Sequence, residues 1–551
     1  MTGVTEPGKV KQDRGRRLPA VANGALIGAL TAGAALAAGE AVAVVTGPST
    51  APIYVVGGAA VNLTPAPLKE FAIAHFGEND KTFLVAGILA TLAVIALAAG
   101  IAALRRLWAG VALVLVFGAV GVAASVSQSV NGLTAALPSV VGALAGVGVL
   151  LLLVHGYKRS MKLVAAVPAA SPQPTTSREA GTPQAGTAPV PVPAPERDRR
   201  GFVVAAASVA AGSAVVGFGA DLISSRRYDV GAARAAVRLP PPAIRAPALP
   251  AGVHPEVPGL SSYFTDNADF YRVDTALVLP QVNPRSWTLR VDGMVDKPFE
   301  LTFDQLLRMP LREHDLTVSC VSDPVGGPYV GTARWLGASL PGLLRSAGVR
   351  TGADQLIARS VDGMTIGTPL GSVLDGREAL IAVAMNGEAL PIAHGFPARM
   401  LVPGFYGYAS ACKWVTELTV TSFAAQRAYW VRRGYAEIGT MKTQSRVDVP
   451  KPFARVAAGP VTVAGVAWAT DRGISAVQIR IDQGPWLQAR LAAQDSPDTW
   501  RQWTCEWQAV AGTHNIEVRA ADDSGQYQTG TRAEPLPNGA SGWESVVVTV
   551  H

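Results

Sequence analysis

Met385-Asn386-Gly387-Glu388-Ala389-Leu390-Pro391, then His394-Gly395-Phe396-Pro397-Ala398-Arg399-Met400-Leu401-Val402-Pro403-Gly404, then Tyr408-Ala409-Ser410-Ala411-Cys412-Lys413-Trp414 form one stretch, and its reading decides the fold. Gly and Pro fix a winding backbone with exposed amides. His394, Arg399, Ser410 and Lys413 supply donors for an anion. Arg can grip a phosphate with two bonds, and Lys adds a point charge. A solvated turn would not need the apolar neighbours on both sides of His394 and Arg399. The stretch therefore reads as an anion-holding segment set into the core of a soluble domain.

Upstream, Leu316-Thr317-Val318-Ser319-Cys320-Val321-Ser322-Asp323-Pro324 places a thiol at the end of a strand-like run, just before a turn. A thiolate is a soft ligand suited to redox-active metals. Zinc would need three or four protein ligands, so a lone Cys better fits a metal whose other ligands come from an organic cofactor. The remaining two cysteines, Cys412 and Cys505, read as small buried hydrophobes. Three cysteines are too few for a disulfide framework.

Further outward the chain divides. Only 16% of its 551 residues are charged, and the apolar ones gather at the N-terminal end. Four runs near membrane-spanning length extend from Leu18 to Val45, Phe83 to Ala103, Trp108 to Val126 and Leu137 to Val154. Lys9 to Arg17, Arg105-Arg106 and Lys158 to Lys162 flank them. The positive-inside rule puts these clusters in the cytoplasm and the loops near Asn62 to Lys81 and Ser127 to Ala135 outside. A Pro/Ala-rich linker follows, and then a fifth run, Gly201 to Ile223, which delivers the rest of the chain outside. Its start, Arg199-Arg200-Gly201-Phe202-Val203-Val204, resembles a twin-arginine export signal. In the soluble part, Trp287 to Val291 alternates like a strand, and Leu301 to Leu307 and Leu336 to Ala347 read as short helices. From Val461 the pattern is all-β: Val477, Ile479 and Ile481, then Ile516, Val518 and Ala520, alternate with polar residues. The net charge of +7 is modest for this length. With no aromatic-basic interleaving, nucleic acid is not an expected partner.

The stretch from Met385 to Trp414 closely resembles the molybdopterin-binding segment of sulfite oxidases and their bacterial relatives. Phe264 to Asn267 and Phe270-Tyr271-Arg272 resemble that family's opening pterin contact, and Gly434 to Arg446 its inter-domain segment. The resemblance implies a molybdopterin-type molybdenum cofactor with Cys320 as metal ligand and catalytic residue. Asn267, Tyr271, Arg272, Ser360, His394, Arg399, Ser410 and Lys413 would be its contacts. It also implies a two-electron redox step with oxygen-atom transfer on a small-molecule substrate.

The expected architecture is multi-domain. It comprises a four-helix transmembrane domain (1–157), a cytoplasmic linker (158–198), a fifth transmembrane helix (199–223) and a Pro-rich spacer (224–260). An α+β molybdopterin domain (261–430) and an all-β immunoglobulin-like dimerisation domain (431–551) complete it. The protein would lie in the cell membrane with its N-terminus cytoplasmic and its catalytic domain outside. It would exchange electrons with a separate quinone or cytochrome and could pair as a homodimer. Sequence departures temper the substrate. Sulfite oxidases follow the ligand Cys with Asn and Arg, whereas no Arg appears here before Arg334 and Asp323 would repel a dianion. The region Ser360 to Thr365 shows no equivalent of their active-site Tyr. A haem between His75 and His155 is not expected, since the two fall on opposite sides. A reductase of oxidised methionine, or a non-catalytic scaffold, are the alternatives.

Overall fold

The computed structural model describes residues 9–65, 80–128, 132–165 and 196–551. His75, residues 66–79 and 129–131 of the loops expected to face outside, and the linker core at 166–195 lie outside the described residues. The chain forms two compact units, 1–63 with 81–228, and 64–80 with 229–551.

The first unit holds helices α1 (Lys9–Thr46), α2 (Pro52–Leu63), α3 (Asp80–Arg105), α4 (Leu107–Gln128), α5 (Leu137–Ala165) and α6 (Glu196–Tyr228). Five stretches are long and apolar enough to cross a membrane: Ala20–Thr46, Thr82–Arg105, Leu107–Ser127, Leu133–Lys162 and Gly201–Ala235. The sequence reading has no counterpart for α2, which at 12 residues is too short to span. Small residues let the helices meet backbone to backbone. A Cβ on Gly28 would sit 1.9 Å from the Ala96 carbonyl oxygen, and one on Gly100 2.1 Å from that of Gly24, so α1 and α3 cross as closely as helices can. The expected linker 158–198 is helical at both ends, because α5 runs on to Ala165 and α6 already begins at Glu196. Lys158, Arg159, Met161 and Lys162 are good helix formers, and no Pro interrupts the run before Pro168. The α6 helix likewise passes Ile223 and ends at Tyr228, whose hydroxyl donates to Val44 O at 3.1 Å.

The second unit opens with the residues read as a Pro-rich spacer, and their backbone is packed. Past the short helix α7 (Gly231–Ala235), the backbone lies against the sheet, with Ala243 N donating to Leu311 O at 2.7 Å. Arg234 within α7 donates to Leu390 O and Ala389 O. Backbone donors find partners here that a free linker would leave to water.

Ten strands follow in chain order: β1 (Thr288–Gly293), β2 (Phe299–Thr302), β3 (Arg312–Ser319), β4 (Val330–Ser339), β5 (Gln355–Ser360), β6 (Thr365–Pro369), β7 (Leu380–Met385), β8 (Glu388–Ala389), β9 (Arg399–Leu401) and β10 (Val415–Thr421). They make two sheets, β2-β1-β10-β5-β6 and β3-β4-β7-β8, with β9 on β7. Helices α8 (Phe303–Leu307), α9 (Leu340–Ala347), α10 (Leu370–Leu374) and α11 (Gly407–Ser410) fill the connections. Two helices start later than their apolar runs suggest. Thr302 caps α8 with a capping box closed by Gln305, so Leu301 stays in β2. Ser339 caps α9 by accepting from Gly342 N, so Leu336 to Ser339 extend β4.

The remaining strands are β11 (Gln444–Val449), β12 (Arg455–Val456), β13 (Gly459–Trp468), β14 (Ile474–Ile481), β15 (Leu487–Gln488), β16 (Arg490–Leu491), β17 (Arg501–Ala509), β18 (Gly512–Asp522) and β19 (Glu544–Val550). Two sheets, β11-β13-β17-β16 and β12-β19-β18-β14-β15, enclose Val463, Ile479, Trp503, Val518 and Val546. This β-rich part is not a separate body. Val466, Trp468 and Trp500 belong to the core that includes Leu289, Leu356 and Val383, and Trp500 N donates to Thr317 Oγ1 at 2.7 Å.

Candidate active site

Cys320 immediately follows β3, where the strand's pairing with β4 ends; its N–H still donates to Tyr329 O. The chain then turns through Val321 to Gly327, and the β-rich part holds this turn from behind. Arg446 donates to Gly327 O at 3.0 Å. A Cβ on Gly326 would sit 2.4 Å from Glu544 Oε1. On the other side, Gly395 adopts a φ of 111°, and a Cβ there would press on Lys413 and Arg399 at 3.1–3.2 Å. That glycine lets the two cations approach one spot.

The result is a cleft of about 760 Å³ of empty space, part of it open to solvent. Cys320, Tyr271, His394, Arg399 and Lys413 line it. The other four predicted residues do not. Ser410 Oγ donates to the Phe405 and Tyr406 carbonyls, within 3.0 Å. The Ser360 hydroxyl is buried without a partner among the described residues. Asn267 donates to Glu388 and Met385 O while its own carbonyl receives His394 Nε2 at 3.2 Å. Arg272 pairs with Asp274 at 2.9 Å.

Asp274 is the residue that the sequence reading missed. Its carboxylate, 2% exposed, also holds Lys413 Nζ at 2.7 Å. The pattern Arg272-Val273-Asp274 was the available signal. Tyr271, read as a pterin contact, puts a phenol into the cleft beside Cys320 although Ser360 to Thr365 offers none. Asp323, expected to repel a dianion, stands behind the cleft wall. It is buried, does not line the cleft, and accepts from Tyr329 N at 2.8 Å. Burial pushes its carboxyl up to about 7, so much of its charge is gone near neutrality.

The electrostatics suit an anion and a metal. Arg399 is buried, 6% exposed; among the described residues its Nε has no partner, and its Nη1 makes a long hydrogen bond to His394 O at 3.5 Å. Its guanidinium packs over Trp335. A buried charge this poorly compensated is costly until an anion pairs with it. Burial pushes the Cys320 thiol up to about 11 against hydrogen bonds from Ser322, with Asp323 adding to the rise. A metal cation would supply the charge that stabilises its thiolate. Burial, then Arg399 and Lys413, push His394 down to about 4. Burial and Cys320 hold the Tyr271 phenol well above its ordinary range. Among the described residues no three His, Cys, Asp or Glu side chains gather to hold an ion by themselves, so a metal at Cys320 draws its other ligands from outside the chain. The residues fit a molybdopterin group.

The comparisons with known proteins agree. Residues 276–430 match the model of the oxidoreductase molybdopterin binding domain. Sulfite oxidase of Gallus gallus is 30% identical over 328 residues, 51% of this chain and 71% of that protein. Mitochondrial sulfite oxidase of Mus musculus is 30% identical over 320 residues, 49% of this chain; the match spans 58% of the mouse protein. An NADH nitrate reductase of Solanum lycopersicum is 24% identical over 311 residues, 45% of this chain and 34% of that one. Among solved structures, the sulfane dehydrogenase SoxCD from Paracoccus pantotrophus aligns over 53% of this chain and 84% of its own, with 22% identity and a TM-score of 0.46. The chain is thus an oxidoreductase that uses a molybdopterin-type molybdenum cofactor, and it belongs to the sulfite oxidase family.

Proposed function

We propose that this enzyme is anchored in the cell membrane by its first unit and works outside the cytoplasm, exchanging an oxygen atom with a small oxo compound. The observation that carries the reading is the meeting of Cys320 and the poorly paired Arg399 in one cleft. When bound, the cofactor supplies the two-electron redox change and the oxygen-atom exchange. The chain's own residues do the rest. Cys320 ligates the metal. Arg399 would hold the pterin or its phosphate, and burial would strengthen the contact. Asp274 fixes the Lys413 ammonium in place. Neutral His394 donates from Nε2 to the Asn267 carbonyl, which leaves Nδ1 as an acceptor. Tyr271 keeps its proton and offers a donor beside the metal position. Asn267 and Arg272 act one step back, through His394 and Asp274. Ser360 and Ser410 complete the proposed set as buried hydroxyls behind the cleft.

Electrons pass to or from a separate carrier, a quinone or a cytochrome. The β-rich part is read as an immunoglobulin-like sandwich through which two copies pair. Arg199-Arg200 serve as a twin-arginine address for export of the folded second unit.

A second reading has its own support. Among the described residues Arg399 is the only arginine lining the cleft, and Met364, Ile366, Trp430 and Tyr435 give it an apolar side. That lining suits the sulfoxide of a thioether, as in oxidised methionine, better than a sulfite dianion. The test is metal analysis of the full chain expressed with cofactor supply, followed by dye-linked turnover on sulfite, methionine sulfoxide and other oxo compounds. Stoichiometric molybdenum with turnover of one of them is expected. Sub-stoichiometric molybdenum with no turnover would make the protein a scaffold.

A further inference from the structure

Arg234 lies upstream of the matched domain, in the short helix α7 that follows closely on the end of α6. The helix is seated by Val230, 5% exposed, which shares an apolar cluster with Phe270, Leu390 and Phe396. The Phe270 ring of that cluster stands edge-on to His394, their centroids 5.5 Å apart. From α7 the Arg234 guanidinium reaches three acceptors. Its Nε donates to Leu390 O at 2.8 Å, its Nη2 to Ala389 O at 2.6 Å, and Nη2 also meets Glu388 Oε2 at 3.0 Å. A planar fork of donors suits such a row, whereas the point charge of a Lys does not.

The three acceptors belong to the far arm of the β7–β8 hairpin, and this hairpin holds Asn267. Its turn residues, Asn386 and Gly387, have φ of 49° and 83°, the conformation tight hairpins favour. Asn386 Nδ2 donates to Asn267 Oδ1 at 3.0 Å, and Asn267 Nδ2 donates to Glu388 Oε1 at 2.6 Å. Both atoms of the Asn267 amide are thus engaged. Asn267 first, with Arg234 adding to it against burial, holds the Glu388 carboxyl below its ordinary range. Glu388 is therefore charged and accepts on both oxygens. The main-chain carbonyl of Asn267 accepts in turn from His394 Nε2 at 3.2 Å, and His394 lines the cleft. The partner of one ring nitrogen fixes what the other presents, and a site is only as well placed as the shell behind it.

We infer that Arg234 is a positioning residue for the cofactor cleft: acting through Glu388 and Asn267, it holds His394 in the wall, so that a segment upstream of the matched domain completes the seat of the molybdopterin group. This rests on the reading of the cleft as that group's site. It gives the packed spacer a task beyond joining α6 to the sheets.

The experiment follows pterin loss from the full-length protein, expressed with cofactor supply, by fluorescence of the pterin released during dialysis. Melting temperature is recorded on the same samples. Arg234→Ala should lose pterin about five- to tenfold faster than the parent, as for a lost hydrogen-bonded link. Arg234→Lys, which keeps the charge and not the fork, should fall between them. Glu388→Ala should lose pterin at least as fast as Arg234→Ala, and adding Arg234→Ala to it should change the rate less than about twofold, because links in series do not add. Glu313→Ala is the packing control. It removes the acceptor of Ala246 N, a different tie of the same segment, and should hold pterin like the parent whatever its melting temperature. Parent-like pterin loss in Arg234→Ala, equal loss in Arg234→Ala and Glu313→Ala, or multiplied effects in the double variant would each overturn the inference. Should Arg234→Ala not fold, Arg234→Lys and the half-exposed Glu388→Ala carry the same comparison. A parent that holds no pterin would sink the cofactor reading itself, whereas variants that match a loaded parent sink this inference alone.

Discussion

Arg399 costs the empty fold free energy and returns it when an anion arrives. Arg399→Ala should therefore move two measurements in opposite directions. The cofactor-free protein should melt at the same temperature or higher, because an unpaired buried charge is gone. Pterin retained through purification, read by fluorescence of the released pterin, should fall about tenfold or more, the worth of a charge-assisted hydrogen bond. Unchanged pterin would show that the pocket lies elsewhere. Cys320→Ser keeps the shape of a residue whose backbone bond to Tyr329 O is untouched, so folding should persist while turnover falls at least about a hundredfold, since a hydroxyl is a poor soft ligand. Full turnover would remove Cys320 from the metal. His394, Arg399 and Lys413 were suggested by the glycine, proline and apolar neighbours beside them in sequence, whereas Cys320 was reached only through the family resemblance. Asp274 was not suggested, because the Lys413 it holds is 139 residues away. Ser410 carries the right chemical group but spends its proton inside its own turn, a matter of rotamer that no residue type announces.

Elements add what single residues do not show. The turn after Cys320 leans on β11 and β19, and two acids there are buried: Asp323, up to about 7, and Glu544, also pushed up to about 7 by burial. A carboxyl with a raised folded pKa binds its proton more tightly in the native state. Its contribution is intact below the unfolded value near 4 to 4.5 and is lost as pH rises through 7. The second unit should thus be less stable at pH 8 than at pH 5, with Glu544 contributing on the order of 2 kcal/mol. Glu544→Gln, whose amide oxygen can still accept from Val447 N as Glu544 does, should flatten that slope in denaturant titrations at the two pH values. An unchanged slope would place the titration in other groups. Element type was readable from period, as in β14 and β18, but element starts were not. Thr302 and Ser339 show why: the cap fixes where a helix begins, while an apolar run continues through strand and helix alike.

Across the whole chain, the apolar runs separated a helical unit from a soluble one, but the borders moved once α5 and α6 were seen to continue past their apolar stretches. The Pro-rich spacer pairs its backbone with the second unit, as Ala243 N does with Leu311 O, a detail that composition does not carry. Topology is tested by changing Arg199 and Arg200 together to Lys. Charge is preserved, so a positive-inside anchor would still work, whereas a receptor-read address would be lost. Residues 224–551 of the double variant should resist protease added outside spheroplasts; digestion as in the parent would leave only the charge anchor. The contact of Gly326 with Glu544 has a consequence in time as well as in space. A ribosome makes Cys320 long before it makes Glu544, so the wall behind the thiol is missing while the intervening strands are being synthesised. Chains stalled before residue 500 should carry no pterin when their nascent complexes are assayed, and loading should begin only after β19 has emerged. Loading of the cleft would then wait for the strand that completes its wall.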